Sequence, residues 1–132
     1  MKLNQFEIGD MIAVRRFGFR HVGIYVGPRH LGGACVVHNC KGKGVILSTL
    51  SDFSGNSQVF IQQKATGNFY EREMIAQRAL SLLGTKYDLI KFNCEHAATT
   101  AQSGIGRSPQ IAAIALLALF ALGFALFARK KA

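Results

Sequence analysis

Three side chains in this sequence are of types that could carry covalent chemistry together: Cys94, His21 and His38. Cys94 stands at the start of Asn93 to Ser103 (NCEHAATTAQS), which reads as a helix with Asn93 as N-cap and Gly104 as stop. A thiol in a helix's first turn feels the positive end of the helix dipole, which lowers its pKa. The free N–H groups of that turn can also hold an oxyanion. A thiolate nucleophile still needs a base, usually a histidine oriented by a third polar group. His21 opens one strand-like run and His38 nearly closes the next, 17 residues later. If the two runs pair as a hairpin, both imidazoles meet at one end of the sheet. Tyr25 shares a strand face with His21, and Gly23 between them leaves room.

The elements that must position these groups are legible in outline. Gly9-Asp10 reads as a turn before a strand at Met11 to Val14, and Arg15 to Arg20 as a basic loop with Gly18 at its tip. His21 to Gly27 (HVGIYVG), Ala34 to Asn39, Val45 to Leu47 and Gln58 to Gln62 are β-branched or aromatic runs separated by Gly-rich turns. The period then changes. Glu71 to Leu83 has helical spacing and ends at Gly84. An antiparallel meander followed by helices predicts an α+β fold.

The chain of 132 residues carries a formal net charge of +9. Arg129, Lys130 and Lys131 supply three of those charges, so residues 1–108 hold +6. Such a surplus suits an anionic surface, and beside an apolar segment lipid is a simpler partner than nucleic acid. The apolar segment is Ile111 to Ala128, 18 residues without a polar side chain. As a helix it would span about 27 Å, close to a bilayer's hydrocarbon thickness. Residues 1–104 are therefore expected to form the catalytic domain, 105–110 a linker, 111–128 a transmembrane helix and 129–132 a basic tail. Residues 1–10 show no secretory leader, so a single-pass C-terminal anchor with the domain facing the cytoplasm is expected. An odd set of cysteines, Cys35, Cys40 and Cys94, fits reduced thiols. Cys35 and Cys40 have no standard metal-ligand spacing with His38, so they read as buried or incidental. No metal or cofactor is expected.

The order HVGIYVG, then VVH, then NCEH resembles the LRAT-like family, named for lecithin:retinol acyltransferase and including small phospholipase A/acyltransferases. The resemblance covers roughly residues 7 to 104. It implies a permuted NlpC/P60 papain-like fold, with the histidines before the cysteine. It further implies Cys94 as the nucleophile that takes the acyl group as a thioester, His21 as general base, and His38 as the group that orients it. Glu95 and His96 belong to the motif and read as residues that seat the helix. Val22 stands where many relatives have Trp, Ala97 where they commonly have Phe, and the stretch from His38 to Cys94 lacks the long insertion of the retinol enzyme, which together point away from retinol as substrate. The function so implied is a membrane-anchored thiol acyltransferase acting on glycerophospholipid esters. A papain-like peptidase or amidase, and a non-enzymatic membrane-tethered or membrane-remodelling module, are the competing readings.

Overall fold

The computed structural model of the chain describes residues 5–29, 32–87 and 93–103, together with Leu119 and Leu122. Its elements are β1 (Met11–Arg16), β2 (Phe19–Pro28), β3 (Ala34–Cys40), β4 (Gly44–Thr49), α1 (Leu50–Ser54), β5 (Val59–Gln63), α2 (Phe69–Ser81) and α3 (Cys94–Ser103). The expected α+β class holds. All strands join one antiparallel sheet in the order β4-β3-β2-β1-β5. The first four strands form the meander, and β5 returns to the free edge of β1.

Strand alternation divides the apolar residues between two faces. On one face Val22, Ile24 and Val26 of β2 and Val37 of β3 pack beneath α2 and α3, which bring Ile75, Ala76, Ala79, Ala97, Ala98 and Ala101. The alanines let both helices lie close to the sheet. The other face carries Ile12, Val14, Tyr25 and Val36, covered by Phe6 and by Phe53 of α1. His21 pairs with Val14 in the sheet, so it belongs to this second face.

Several expectations are corrected in detail. The basic loop at Arg15 to Arg20 is mostly strand: Arg15 pairs with Arg20 and Arg16 with Phe19, leaving only Phe17-Gly18 as the turn. Cross-strand pairing extends both strands beyond the apolar runs that announced them. The five-residue α1 has no sequence period long enough to show; Thr49 caps it by accepting from the Asp52 N–H at 3.1 Å. The first long helix starts two residues early, at Phe69, because Asn68 caps it. The expected linker, transmembrane helix and basic tail lie outside the described residues, apart from two positions. Within the apolar segment only Leu119 and Leu122 are described, as helical and exposed. Among the described residues no helix is long and apolar enough to cross a membrane.

Candidate active site

The β2–β3 pairing sets Gly23 opposite His38. His21 lies two residues before Gly23, on the same face. The expected meeting of the imidazoles occurs: His21 Nε2 and His38 Nδ1 are 2.8 Å apart and share a hydrogen bond. Their rings meet edge-on, at 5.0 Å between centroids and 79° between planes. Phe53 packs against both, at 5.4 Å from His21 and 5.2 Å from His38. Gly23 is required here. A side-chain Cβ at that position would stand 2.6 Å from Val36 Cγ1, 2.9 Å from the Val37 carbonyl and 3.1 Å from His38 Cβ.

On its far side His38 Nε2 lies 2.7 Å from Ser48 Oγ on β4. Its Nδ1 is also 3.2 Å from Cys40 Sγ. Cys40, read from spacing as incidental, is thus in contact with the imidazole pair. Its signal was alternation: Cys40 follows His38 by two residues and so shares its strand face. Ser48 and Phe53 were missed because only the β3–β4 register and α1 bring them here. Cys35, by contrast, is buried as expected and donates to the Gly33 carbonyl at 3.1 Å.

Burial, reinforced by the Arg16 charge, lowers the His21 pKa to about 4. His38 falls to about 3, through burial first and then His21, Arg16 and Lys43. Both rings are neutral at neutral pH, so His21 can accept a proton. Burial raises the Cys40 pKa, outweighing Lys43 and Arg16, and keeps it a thiol. His21, His38 and Cys40 have ligand atoms within 4.8 Å of one another, a donor set of the kind zinc uses. The neighbouring Arg16 and Lys43 oppose a dication, and the ring nitrogens already serve each other. The histidines open onto a cleft of about 470 Å³ whose lining includes Arg16, Phe19, Cys40, Lys41 and Lys43.

Cys94 opens α3, as expected, but its side chain lies outside the described residues. The helix start is built from the motif itself. Asn93 Oδ1 accepts from the Glu95 N–H at 2.9 Å and the His96 N–H at 3.1 Å. His96 Nδ1 accepts in return from the Asn93 N–H at 3.2 Å. This is a capping box with histidine in the reciprocal position, and it shows Asn93 and His96 seating the helix. Glu95 is buried beside them.

The direction of α3 follows from its other end. Gln102 donates to the carbonyls of Gly9 and Gln63, where β1 begins and β5 ends. Arg78 of α2 caps the same end, donating to the carbonyls of Ala101 and Gln102 at 2.6 and 2.8 Å. The first turn of α3 therefore points to the opposite end of the sheet, where β2 begins with Phe19, Arg20 and His21.

A family model described as lecithin retinol acyltransferase matches residues 4–107. Phospholipase A and acyltransferase 2 of Homo sapiens is 29% identical, over 95% of this chain and 93% of that protein. Phospholipase A and acyltransferase 3 of Pongo abelii is 28% identical, over 91% of this chain and 84% of its own length. Lecithin retinol acyltransferase of Rattus norvegicus is 28% identical over 83% of this chain, which spans only 59% of that longer protein.

Proposed function

The chain belongs to the lecithin retinol acyltransferase family, and from that premise we propose that it is a phospholipase A/acyltransferase using a Cys94 thioester on glycerophospholipid esters. The observation that carries the reading is the 2.8 Å contact between His21 and His38 at the sheet end towards which α3 directs its N-terminus. The fold is read as a permuted papain-like one, in which the base precedes the nucleophile along the chain.

Ser48 accepts from His38 Nε2–H, which leaves His38 Nδ1 to accept from His21 Nε2–H. The proton of His21 then sits on Nε2, and its Nδ1 is a free lone pair. That nitrogen takes the Cys94 proton. A neighbouring thiolate favours the imidazolium and raises the depressed His21 pKa as the pair forms. The thiolate attacks the ester carbonyl, and the main-chain N–H of Cys94 at the start of α3 holds the oxyanion, those of Glu95 and His96 being taken by Asn93 Oδ1. The tetrahedral intermediate collapses, the ester C–O bond breaks, and His21 returns its proton to the departing lysolipid oxygen. Water or an amine then attacks the thioester, giving its proton to His21, and Cys94 leaves as the thiolate.

Arg16, Lys41 and Lys43 around the cleft suit a phosphodiester better than a peptide, which favours lipid over the amidase reading. The apolar residues 111–128 would hold the site at the membrane surface, with the domain on the cytoplasmic side, and raise the local substrate concentration. The test is to incubate the full chain with phosphatidylcholine carrying a labelled acyl chain. A hydroxylamine-sensitive label on the wild type and none on Cys94→Ala is the expected result. No label, with cleavage of peptides instead, favours the amidase. Inertness to both leaves the non-enzymatic module.

A further inference from the structure

The sheet end that carries His21 also carries two turns, and one of them exposes large apolar side chains. The β1–β2 turn is Phe17-Gly18. Gly18 has φ +79° and Phe17 a negative φ, the pattern of a type II turn, which needs glycine in its second place. At this tip Phe17 is 104% exposed, and Phe19 beside it is 51% exposed. Nothing lies within 4 Å of a Cβ built on Gly18, so the tip stands clear of the body. Phe17, held in water at a protruding tip, bears the free-energy cost of apolar hydration and gains no packing in return, and Phe19 beside it is half exposed.

Cations surround them. Arg15, Arg16 and Arg20 flank the tip, and Lys41 and Lys43 lie in the β3–β4 turn at the same sheet end. No acidic residue occurs between Met11 and Ser51. Three of the guanidinium groups are held in place by β5 or α1. Arg16 donates to the Phe53 carbonyl at 3.0 Å, Arg20 donates to Gln62 Oε1 at 3.0 Å, and Arg15 sits 5.5 Å from the Phe60 ring centre. Aromatic side chains projecting from a cationic ring are the chemistry of insertion at an anionic lipid interface. A nucleic acid strand would instead need aromatics set along a groove as stacking platforms, and a convex tip provides none.

We propose that this end of the domain docks on an anionic phospholipid bilayer, with Phe17 entering below the headgroups and Arg15, Arg16, Arg20 and Lys41 meeting the phosphates. Phe19 and Arg16 also line the catalytic cleft, so docking sets the cleft mouth against the bilayer plane. This deepens the phospholipid reading and rests on it. An acyl ester reaches His21 from the membrane side, without crossing water.

The sequence contains no tryptophan, so Phe17→Trp makes the full chain a single-tryptophan reporter. It is mixed with vesicles of phosphatidylcholine and phosphatidylserine whose acyl chains carry bromine. The expected result is a blue-shifted emission quenched by the brominated chains, weaker with phosphatidylcholine alone. In parallel, Phe17→Ser is expected to slow turnover of vesicle phospholipid by about tenfold or more, the partition gain of burying one Phe. Its turnover of a monomeric short-chain ester is expected to stay unchanged, since Phe17 does not line the cleft. Unquenched, water-like emission from vesicle-bound protein overturns docking, even if the Cys94 thioester forms. Quenching without any thioester upholds docking and sinks the catalytic reading. Quenching relieved by added RNA, or equal loss on both substrates, also overturns the proposal.

Discussion

Gly23 stands opposite His38 across the β2–β3 pair, and its missing side chain is what allows His38 to stand beside His21. The pair is built by absence at one position as much as by presence at two. A methyl group there collides first with Val36 and the Val37 backbone, and then with the Cβ of His38 itself.

Gly23→Ala is accordingly expected to destabilise the domain by about 1–3 kcal/mol, as overpacking does. It should also lower kcat more than stability alone explains, because His38 must move. Urea midpoints and turnover measured on the same preparations separate the two. Wild-type values in both would rule out the steric account.

Stability should fall on acidification in a defined window. Each histidine titrates near 6.5 when unfolded but is held down, mainly by burial, to about 4 for His21 and about 3 for His38 when folded. Between those limits the unfolded chain binds more protons than the folded one. The contribution of the pair is thus fully present above about pH 6.5. It declines as pH falls through that value towards 4 and then 3. Urea midpoints across this range for wild type and His21→Gln/His38→Gln test it. The double variant should lose less stability on acidification, and parallel curves would contradict the assignment.

On the proposed mechanism Ser48 positions His38. Ser48→Ala removes the partner of a buried imidazole nitrogen and should cost about 0.5–1.5 kcal/mol. On the proposed mechanism kcat falls with little change in KM, and Ser48→Thr, which keeps the hydroxyl, restores most of the loss. An equal loss in Ser48→Thr would reduce Ser48 to packing.

Two thiols compete by position for the role of nucleophile, Cys94 on α3 and Cys40 beside His38. Removing a catalytic nucleophile typically costs on the order of 10⁴-fold or more in kcat. That loss is expected for Cys94→Ala. Cys40→Ala should change kcat by only a few-fold, since burial keeps this group a protonated thiol. The reverse outcome would transfer the chemistry to β3.

Asn93 gives a prediction about the helix that carries Cys94. Asn93→Ala leaves the Glu95 and His96 N–H groups without their acceptor and should cost about 1 kcal/mol. Asn93→Asp keeps an acceptor and should fold normally. Loss of helical circular dichroism on heating, compared across the three proteins, decides it.

These residues also mark how far the sequence can be read. The meeting of His21 and His38 was legible because strand parity and one hairpin suffice to predict it. The Asn93 cap was legible because capping is local. Ser48 was not, since its place depends on the β3–β4 register, which no short motif encodes. Cys40 has no metal-ligand spacing to announce it; its place beside His38 follows from alternation along β3. The hairpin at Arg15 to Arg20 looked like a loop because arginine is not a strand signal. Its strand character comes from pairing partners, Arg15 with Arg20 and Arg16 with Phe19.

The two faces of the sheet are finished differently: among the described residues α2 and α3 roof one, while Phe6 and Phe53 of the short α1 cover the other. That asymmetry divides the molecule into two nearly independent fields for change. Alanine-for-larger substitutions under the helices alter how firmly the scaffold holds, and leave the cleft's outline alone. Exchanges at the exposed rim of the cleft, at Phe19, Lys41 and Lys43, reshape its mouth at little cost to the helical side. A lineage built on this sheet can thus vary the cleft mouth while keeping Phe53, which is buried and braces both imidazoles, and an engineer should begin at the rim and leave Phe53 in place.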